Sequence, residues 1–398
     1  MKKIITDEQK LCSGCGTCAL VCPKHCISYR TDILGSLHAY VDSEACINCG
    51  VCSIVCPIQK SFDRRIVGQQ AYAAYARDNK VRFSGSSGGV FETLSNWVIS
   101  QKGRVFASKF NDDLKLQMYE AVSADEVKQL TKSKYLQSDV AFCFPTIRER
   151  VKQGVTVLVC ATPCQIAALK GYLGKEANST NLYLIDFFCH GVPSQKMFDK
   201  CIEYVEKQNN IRVVGYEFRS KIKDGATPHY YTLKYLKNGQ VRKKTRLYLA
   251  DPFYMGFQKY ITLRDSCYHC PYGAGNHVGD ITIGDFHGID KYIRGINRFD
   301  GVSTVIINND KGNTIWKSVC DTLMVHEIDL ELLLKDRQIY SGCTIEPLNR
   351  KELLSDLNNL SFDQVVKKWF SSKHEWKRII YYHLPSCVRR RVKDYMGL

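Results

Sequence analysis

Residues 12–23 read CSGCGTCALVCP and residues 46–57 read CINCGVCSIVCP. Each is C-x2-C-x2-C-x3-C-P, and the second begins 34 residues after the first. An internal repeat of this kind leaves the chain little freedom. Three closely spaced thiolates wrap one iron–sulfur cluster, and the fourth reaches the cluster of the other repeat. The first cluster is therefore assigned Cys12, Cys15, Cys18 and Cys56, and the second Cys46, Cys49, Cys52 and Cys22. Gly14, Gly16 and Gly50 let the backbone curl around the sulfides. The prolines turn the chain away after each ligand run. Cys26 lies outside the pattern and reads as a small buried residue. Paired zinc ribbons do not need three cysteines this close with a fourth three residues on.

This module, residues 1–62, resembles the bacterial two-cluster ferredoxin. The chain holds nineteen cysteines in 398 residues, too long for a small disulfide scaffold. The start, MKKIITDEQK, has no apolar signal region, and no run of 18 apolar residues appears. A cytoplasmic setting is expected, where many cysteines imply metal or redox work. The net charge is +16, yet residues 1–60 hold six Lys/Arg against five Asp/Glu. The excess belongs to the body and to residues 367–398, with nine Lys/Arg against two acids. Residues 346–398 thus read as a basic helical tail. Its composition suits peripheral contact with the anionic inner face of a membrane or a solvated surface. Nucleic acid is the less favoured partner, for want of a basic stripe interleaved with aromatics in the body.

From residue 71 to about 309, strand-like and helix-like segments alternate, which predicts an α/β domain with a mixed sheet. AYAAYA (71–76), RVFASKF, QMYEAVS, VTVLVCA (155–161), LYLIDFF (182–188), DITIGDF and VSTVIINND read as strands. FETLSNWVIS, QIAALKGYL and SQKMFDKCIEYVEKQ read as helices, as does SDVAFCFPTIRERVKQ, with a Ser–Asp cap and Pro145 as a kink. Asn238–Gly239 is the turn of a hairpin. The whole chain reads as α+β followed by α/β: a ferredoxin-like module, then a mixed-sheet flavin and iron–sulfur domain. Cys164 and Cys189 each follow a buried strand. If those strands are parallel neighbours, both thiols emerge at one sheet edge, where open α/β sheets place ligands. Cys267-x2-Cys270 is half a metal site on its own, and these two thiols would complete a third cluster. Two core cysteines and a small turn are the plainer alternative.

Six ordered phrases, SSGGVFETL, SKYLQS, ATPCQIAALKG, FCHGVPS, CYHCPYG and GDITIGDFHG, resemble the beta-subunit family of coenzyme F420 hydrogenases and dehydrogenases. The resemblance spans about residues 68–345, divided here into 68–152 and 153–345. It implies FAD beside an iron–sulfur cluster, and so favours the third cluster at Cys164, Cys189, Cys267 and Cys270. Cys160 stands where the family more often has a small residue, and His287 where it has an aromatic. Under this resemblance, Ser86, Ser87, Gly88 and Gly89 would hold a pyrophosphate at a helix start. Lys134, Gln137 and Ser138 would meet phosphate or flavin carbonyls. Thr162, His190, Asp280 and Asp285 would lie beside the isoalloxazine. His190, Asp285 and His287 are the candidates for catalytic groups. No G-x-G-x-x-G follows a strand, so a nicotinamide Rossmann site is not supported.

The function expected is an iron–sulfur flavoprotein oxidoreductase. Electrons would pass between a redox partner protein, the ferredoxin clusters, FAD and a small-molecule substrate, a deazaflavin coenzyme or another. The alternative is an electron-transfer subunit that serves a separate catalytic partner.

Overall fold

The structure is a computed structural model. It describes residues 11–59, 70–222, 229–273, 276–289, 292–293, 295–296, 300–335, 343–371, 380, 384 and 388. Most of the basic stretch 367–398 lies outside these residues, and so does the expectation of membrane contact placed on it. No helix among the described residues is long and apolar enough to cross a membrane.

In chain order the strands are β1 Ile27–Thr31, β2 Leu37–Val41, β3 Gln70–Ala76, β4 Arg104–Phe110, β5 Leu116–Ala121, β6 Val157–Cys160 and β7 Leu182–Phe187. They continue with β8 Arg212–Glu217, β9 Tyr230–Lys237, β10 Gln240–Leu247, β11 Ile281–Asp285, β12 Ser303–Ile307 and β13 Leu323–Ile328. In the N-terminal module β1 pairs antiparallel with β2. The cysteine repeat has a structural counterpart. Each copy carries one short helix, Thr17–Leu20 or Val51–Ile54, entered through a left-handed glycine, Gly16 (φ 88°) or Gly50 (φ 74°). An L side chain rarely adopts that conformation, so the glycine is what lets each ligand loop turn into its helix.

The body is built on an eight-stranded sheet in the order β13-β3-β12-β11-β7-β6-β4-β5. Strands β11, β7, β6 and β4 run parallel to their neighbours within this central block. The flanking pairs are antiparallel, so the sheet is mixed as predicted. Alternation along β6 and β7 serves two cores. Val157, Val159, Leu182 and Leu184 face helices Phe144–Lys152 and Pro163–Leu173. Leu158, Tyr183 and Ile185 face helix Val90–Ser100 on the other side. Both faces are covered, which is why these strands read as continuous apolar runs.

A second sheet has the order β10-β9-β8. Its hairpin turns at Asn238 and Gly239 (φ 52° and 76°), the paired left-handed residues of a type I′ turn. Two expectations are corrected. Pro145 does not kink a helix that starts at Ser138; it lies in the first turn of Phe144–Lys152, where its missing N–H costs nothing. Residue 346 is not the start of a separate tail either. Helices Arg350–Asn359 and Phe362–Trp369 bury Leu353, Val365, Val366 and Trp369 in the same core as helix Gln195–Asn209.

The N-terminal module is docked on the body by contacts that admit little slack. A Cβ on Gly171 would lie 2.6 Å from the Val55 carbonyl oxygen. The Tyr272 hydroxyl donates to the Pro57 carbonyl, and Ser194 Oγ donates to that of Leu34 at 2.5 Å.

Candidate functional site

The two ligand sets read from the repeat come together in space. Cys12, Cys15, Cys18 and Cys56 line one small cavity, with Tyr29 among the walls. Cys22, Cys46, Cys49 and Cys52 line another. The exchange of the fourth cysteine between repeats is thus built into the geometry. Cys26 also lines the second cavity, its Sγ 3.4 Å from that of Cys22, so it belongs to the surroundings of that site. Cys49 is exposed, and Ile47 and Ile54 beside it are 58% and 63% exposed.

Strands β6 and β7 are parallel neighbours, with Cys160 opposite Ile185. Their ends therefore deliver Cys164 and Cys189 to one edge of the sheet. Cys164 sits in the first turn of helix Pro163–Leu173, which Thr162 and Gln165 close with a reciprocal cap. Cys189 is within electrostatic reach of Cys267, Cys164 and Cys270, and Cys270 is within reach of Cys164 and Cys267. Gly191 (φ 107°) makes this closeness possible. A Cβ there would fall 2.9 Å from Cys267 Cβ and 3.3 Å from its Sγ. Burial pushes the Cys189 thiol far up, pushes Cys267 up to about 11, and pushes Cys270 up to about 12. Thiols held protonated in this way are poor nucleophiles, and a bound metal is what would draw them into the thiolate form. Cys164 also feels Cys15, so the four-cysteine site adjoins the first ferredoxin site.

Next to it opens a cavity of about 360 Å³, a size that suits a small cofactor or substrate. Its walls include Ser86, Ser87, Gly89, Lys134, Ser138, Thr162, His190, Asp285 and His287, together with Cys189. One member of the four-cysteine set thus forms part of the cavity wall. Helix Val90–Ser100 starts at this cavity through Gly89 and has no side-chain cap. Its first amides are free to meet an anion, and the helix dipole favours one. Tyr135 and Phe257, stacked 4.3 Å apart, form an aromatic wall.

Three expected contacts lie elsewhere. Gly88 packs on the sheet. Its N–H donates to Ser303 Oγ at 2.9 Å, and a Cβ would strike the Ala74 carbonyl at 2.3 Å. Gln137 turns toward the ferredoxin module and donates to the carbonyls of Ser13 and Gly14 at 2.9 and 3.1 Å. Asp280 is buried and ties strands together, accepting from Leu184 N–H and Asn309 Nδ2, each at 2.8 Å. None of the three lines the cavity.

Other groups on the cavity escaped the sequence reading. Arg219 and His229 come from the second sheet's flanks, and Cys160 from the end of β6. Arg219 Nη1 donates to Asp285 Oδ2 at 2.5 Å and to the Tyr135 hydroxyl at 3.0 Å, and Nη2 donates to the Ser86 carbonyl at 3.1 Å. Burial pushes the Asp285 carboxyl up, but the Arg219 guanidinium outweighs it and holds the group at about 2. Asp285 therefore stays ionised near neutral pH and is not a proton donor there. Burial lowers the ring of His190 and brings that of His229 to about 4. Burial also pushes Lys134 down to about 7; Cys160, Lys132 and Glu217 are the charged or titratable groups around it. Its Nζ donates to the carbonyls of Leu130 and Thr131 at 2.7 and 2.6 Å.

Residues 154–331 match the family model for the C terminus of the coenzyme F420 hydrogenase/dehydrogenase beta subunit, and residues 11–60 that of a 4Fe-4S dicluster domain. The chain carries an F420 hydrogenase/dehydrogenase beta-subunit domain behind a 4Fe-4S dicluster domain. The beta-subunit match takes in Cys164, Cys189, Cys267 and Cys270, and the dicluster match takes in all eight repeat cysteines. The chain is also similar to a chain of the xenon-derivatised F420-reducing NiFe hydrogenase complex from Methanosarcina barkeri. There the identity is 19% and the TM-score 0.45, covering 72% of this chain and 91% of that one. No curated protein matches the sequence. An oxidoreductase-type role in electron transfer through 4Fe-4S clusters, alongside redox partner subunits, follows from these two domains.

Proposed function

We propose that this chain is an iron–sulfur flavoprotein oxidoreductase that connects ferredoxin-type clusters with FAD and a small-molecule hydride donor or acceptor. The observation that carries this reading is spatial order. The first ferredoxin site adjoins the four-cysteine site through Cys15 and Cys164, and that site shares Cys189 with the 360 Å³ cavity. Cys164, Cys189, Cys267 and Cys270 would hold a third 4Fe-4S cluster. Ser86, Ser87, Gly89, the amides of helix Val90–Ser100 and Lys134 would hold the cofactor's phosphates, and Thr162 and His190 the ring side. A bound flavin exchanges electrons singly with clusters and in pairs with organic substrates. The protein's own groups do the rest. The Arg219–Asp285 pair fixes the Ser86 loop, and His190, largely neutral, is the candidate to hold or move a proton. The exposed face around Cys49, Ile47 and Ile54 is where a redox partner would approach. That face also supports the second reading, an electron-transfer subunit, in which the partner also carries the substrate site.

Anaerobic purification should give about twelve iron atoms per chain, the sum of three four-iron clusters, and one FAD released on denaturation. A preparation holding about eight iron atoms, or no flavin, overturns this assignment. Turnover of a free small molecule by the isolated chain separates the enzyme from the relay subunit.

A pH dependence follows from Lys134. In the empty cavity its amine titrates at about 7, well below the ordinary value of about 10.4. An anionic phosphate beside it would raise that value, so binding takes up a proton once the empty site has lost one. Flavin affinity should be flat below about pH 7, then fall by up to about tenfold per pH unit for one linked proton. Fluorescence titration of apoprotein with FAD between pH 6 and 9 measures it. The fall should vanish in Lys134→Met. A pH-independent affinity in the unmodified protein removes Lys134 from the phosphate site.

A further inference from the structure

Arg264 is 2% exposed and among the largest fully buried side chains. Among the described residues no carboxylate forms an ion pair with it. Its Nε donates to Ser266 Oγ at 3.1 Å, and Nη1 donates to Gln137 Oε1. Its Nη2 donates to the carbonyls of Cys12 and Leu37 at 2.7 and 2.8 Å. Every acceptor is neutral, yet a guanidinium cannot shed its proton in a protein. A buried cation with good hydrogen bonds but no counter-charge is a costly arrangement. Asp32 lies within electrostatic reach, but His38 Nε2 at 3.0 Å and the Ser36 N–H at 2.8 Å already occupy its carboxylate.

The position of Arg264 indicates what would supply the missing charge. It is within electrostatic reach of Cys164 and Cys267 in the four-cysteine site, and it grips the carbonyl of Cys12 in the first ferredoxin site. Gly14, between Cys12 and Cys15, leaves the room. A Cβ there would fall 2.6 and 2.8 Å from the two terminal nitrogens of Arg264. The glycine in this ligand loop thus serves the arginine as well as the turn.

We infer that Arg264 is the shared counter-ion of the first and third cluster sites and raises the reduction potential of both. The inference rests on the three-cluster reading given above. A cluster held by four thiolates is anionic, and reduction adds a further negative charge. A fixed cation in a low-dielectric interior stabilises the reduced form more than the oxidised one. One cation between two clusters also keeps their potentials together, so transfer between them is not steeply uphill. Arg264 is a positioning residue in this scheme, since it touches ligand loops and not a reacting atom.

EPR-monitored redox titration of the anaerobically purified full chain tests this. In Arg264→Gln the midpoints of the first and third clusters should move to more negative potential, and that of the second cluster should stay. Arg264→Lys should restore most of the shift. Gln137→Glu gives a second route that leaves the arginine in place. It sets a carboxylate against Nη1 and should lower the same two midpoints, which keeps the test available if Arg264→Gln does not fold. Unchanged midpoints in fully iron-loaded Arg264→Gln or Gln137→Glu overturn the inference, and so does an equal shift of all three clusters. About eight iron atoms in the unmodified protein would instead defeat the three-cluster reading. A shift confined to the first cluster would then still support the counter-ion role there.

Discussion

Replacing Cys164 with alanine should lower the iron content from about twelve to about eight atoms per chain, with both ferredoxin sites intact. Cys164 is the residue to choose because it stands between the other sites. It feels Cys15 on one side, and Thr162, whose Oγ1 lies 3.2 Å from its Sγ, reaches the cavity on the other. Removing a partner that merely orients a metal ligand costs roughly 10–100-fold in affinity or activity. Removing the ligand itself should slow electron passage between the module and the cavity by more than about a hundredfold on that scale. FAD should remain bound, since Cys164 is not on the cavity wall. Cys160→Ala is the matched control. Cys160 is buried, lines the cavity and lies only four residues earlier, yet it belongs to neither ligand set. Iron analysis and rapid-mixing reduction of the bound flavin read both variants. A Cys164→Ala protein with undiminished iron would remove the third cluster from this site.

The sequence showed most clearly what is local. The cysteine repeat can be read because three of its four ligands lie within seven residues of one another. The ends of β6 and β7 were legible for a related reason: apolar runs of strand length mark buried parallel strands, and a cysteine just past each shares an edge if the strands are neighbours. The half-site at Cys267 and Cys270 could be closed only through that topology. The misplaced residues show where this reasoning stops. Gln137 and Ser138 are adjacent, yet one turns to the ferredoxin loop and the other to the cavity, because their irregular segment has no period to sort them. Asp280 immediately precedes β11, and its carboxylate serves the amide of Leu184 in the next strand. Arg219 and Arg264 had no local mark at all. Their partners lie 66 and 252 residues away, and only the folded chain shows that their charges are buried.

Asp285→Ala should be the most destabilising single change at the cavity. The Arg219 side chain is 7% exposed and that of Asp285 21%, with 2.5 Å between them. Removing the carboxylate strands a buried guanidinium, which typically costs about 3–5 kcal/mol. That cost is largely the desolvation of the abandoned charge, so the pairing predicts an asymmetry. Arg219→Met combined with Asp285→Leu should be less destabilised than Asp285→Ala alone, because no orphan charge remains. The pH dependence has a definite sign. The folded carboxyl sits at about 2 and the unfolded one at about 3.9. The pair's contribution is therefore complete above about pH 4 and is lost as the pH falls toward 2, and Asp285→Ala should lack that component of acid sensitivity. The local consequence reaches function. Arg219 also holds the Ser86 carbonyl and the Tyr135 hydroxyl, so losing its anchor loosens both the Ser/Gly loop and the aromatic wall. FAD affinity should fall in both variants even where the fold survives, whereas iron content should not. Urea unfolding followed by far-UV circular dichroism measures the first effect, and flavin retention after gel filtration the second. If Asp285→Ala unfolds like the unmodified protein, the pair is solvated in solution and the Ser86 loop must be held by other contacts, with Lys221, 2.6 Å from the Ser87 carbonyl, the nearest remaining anchor.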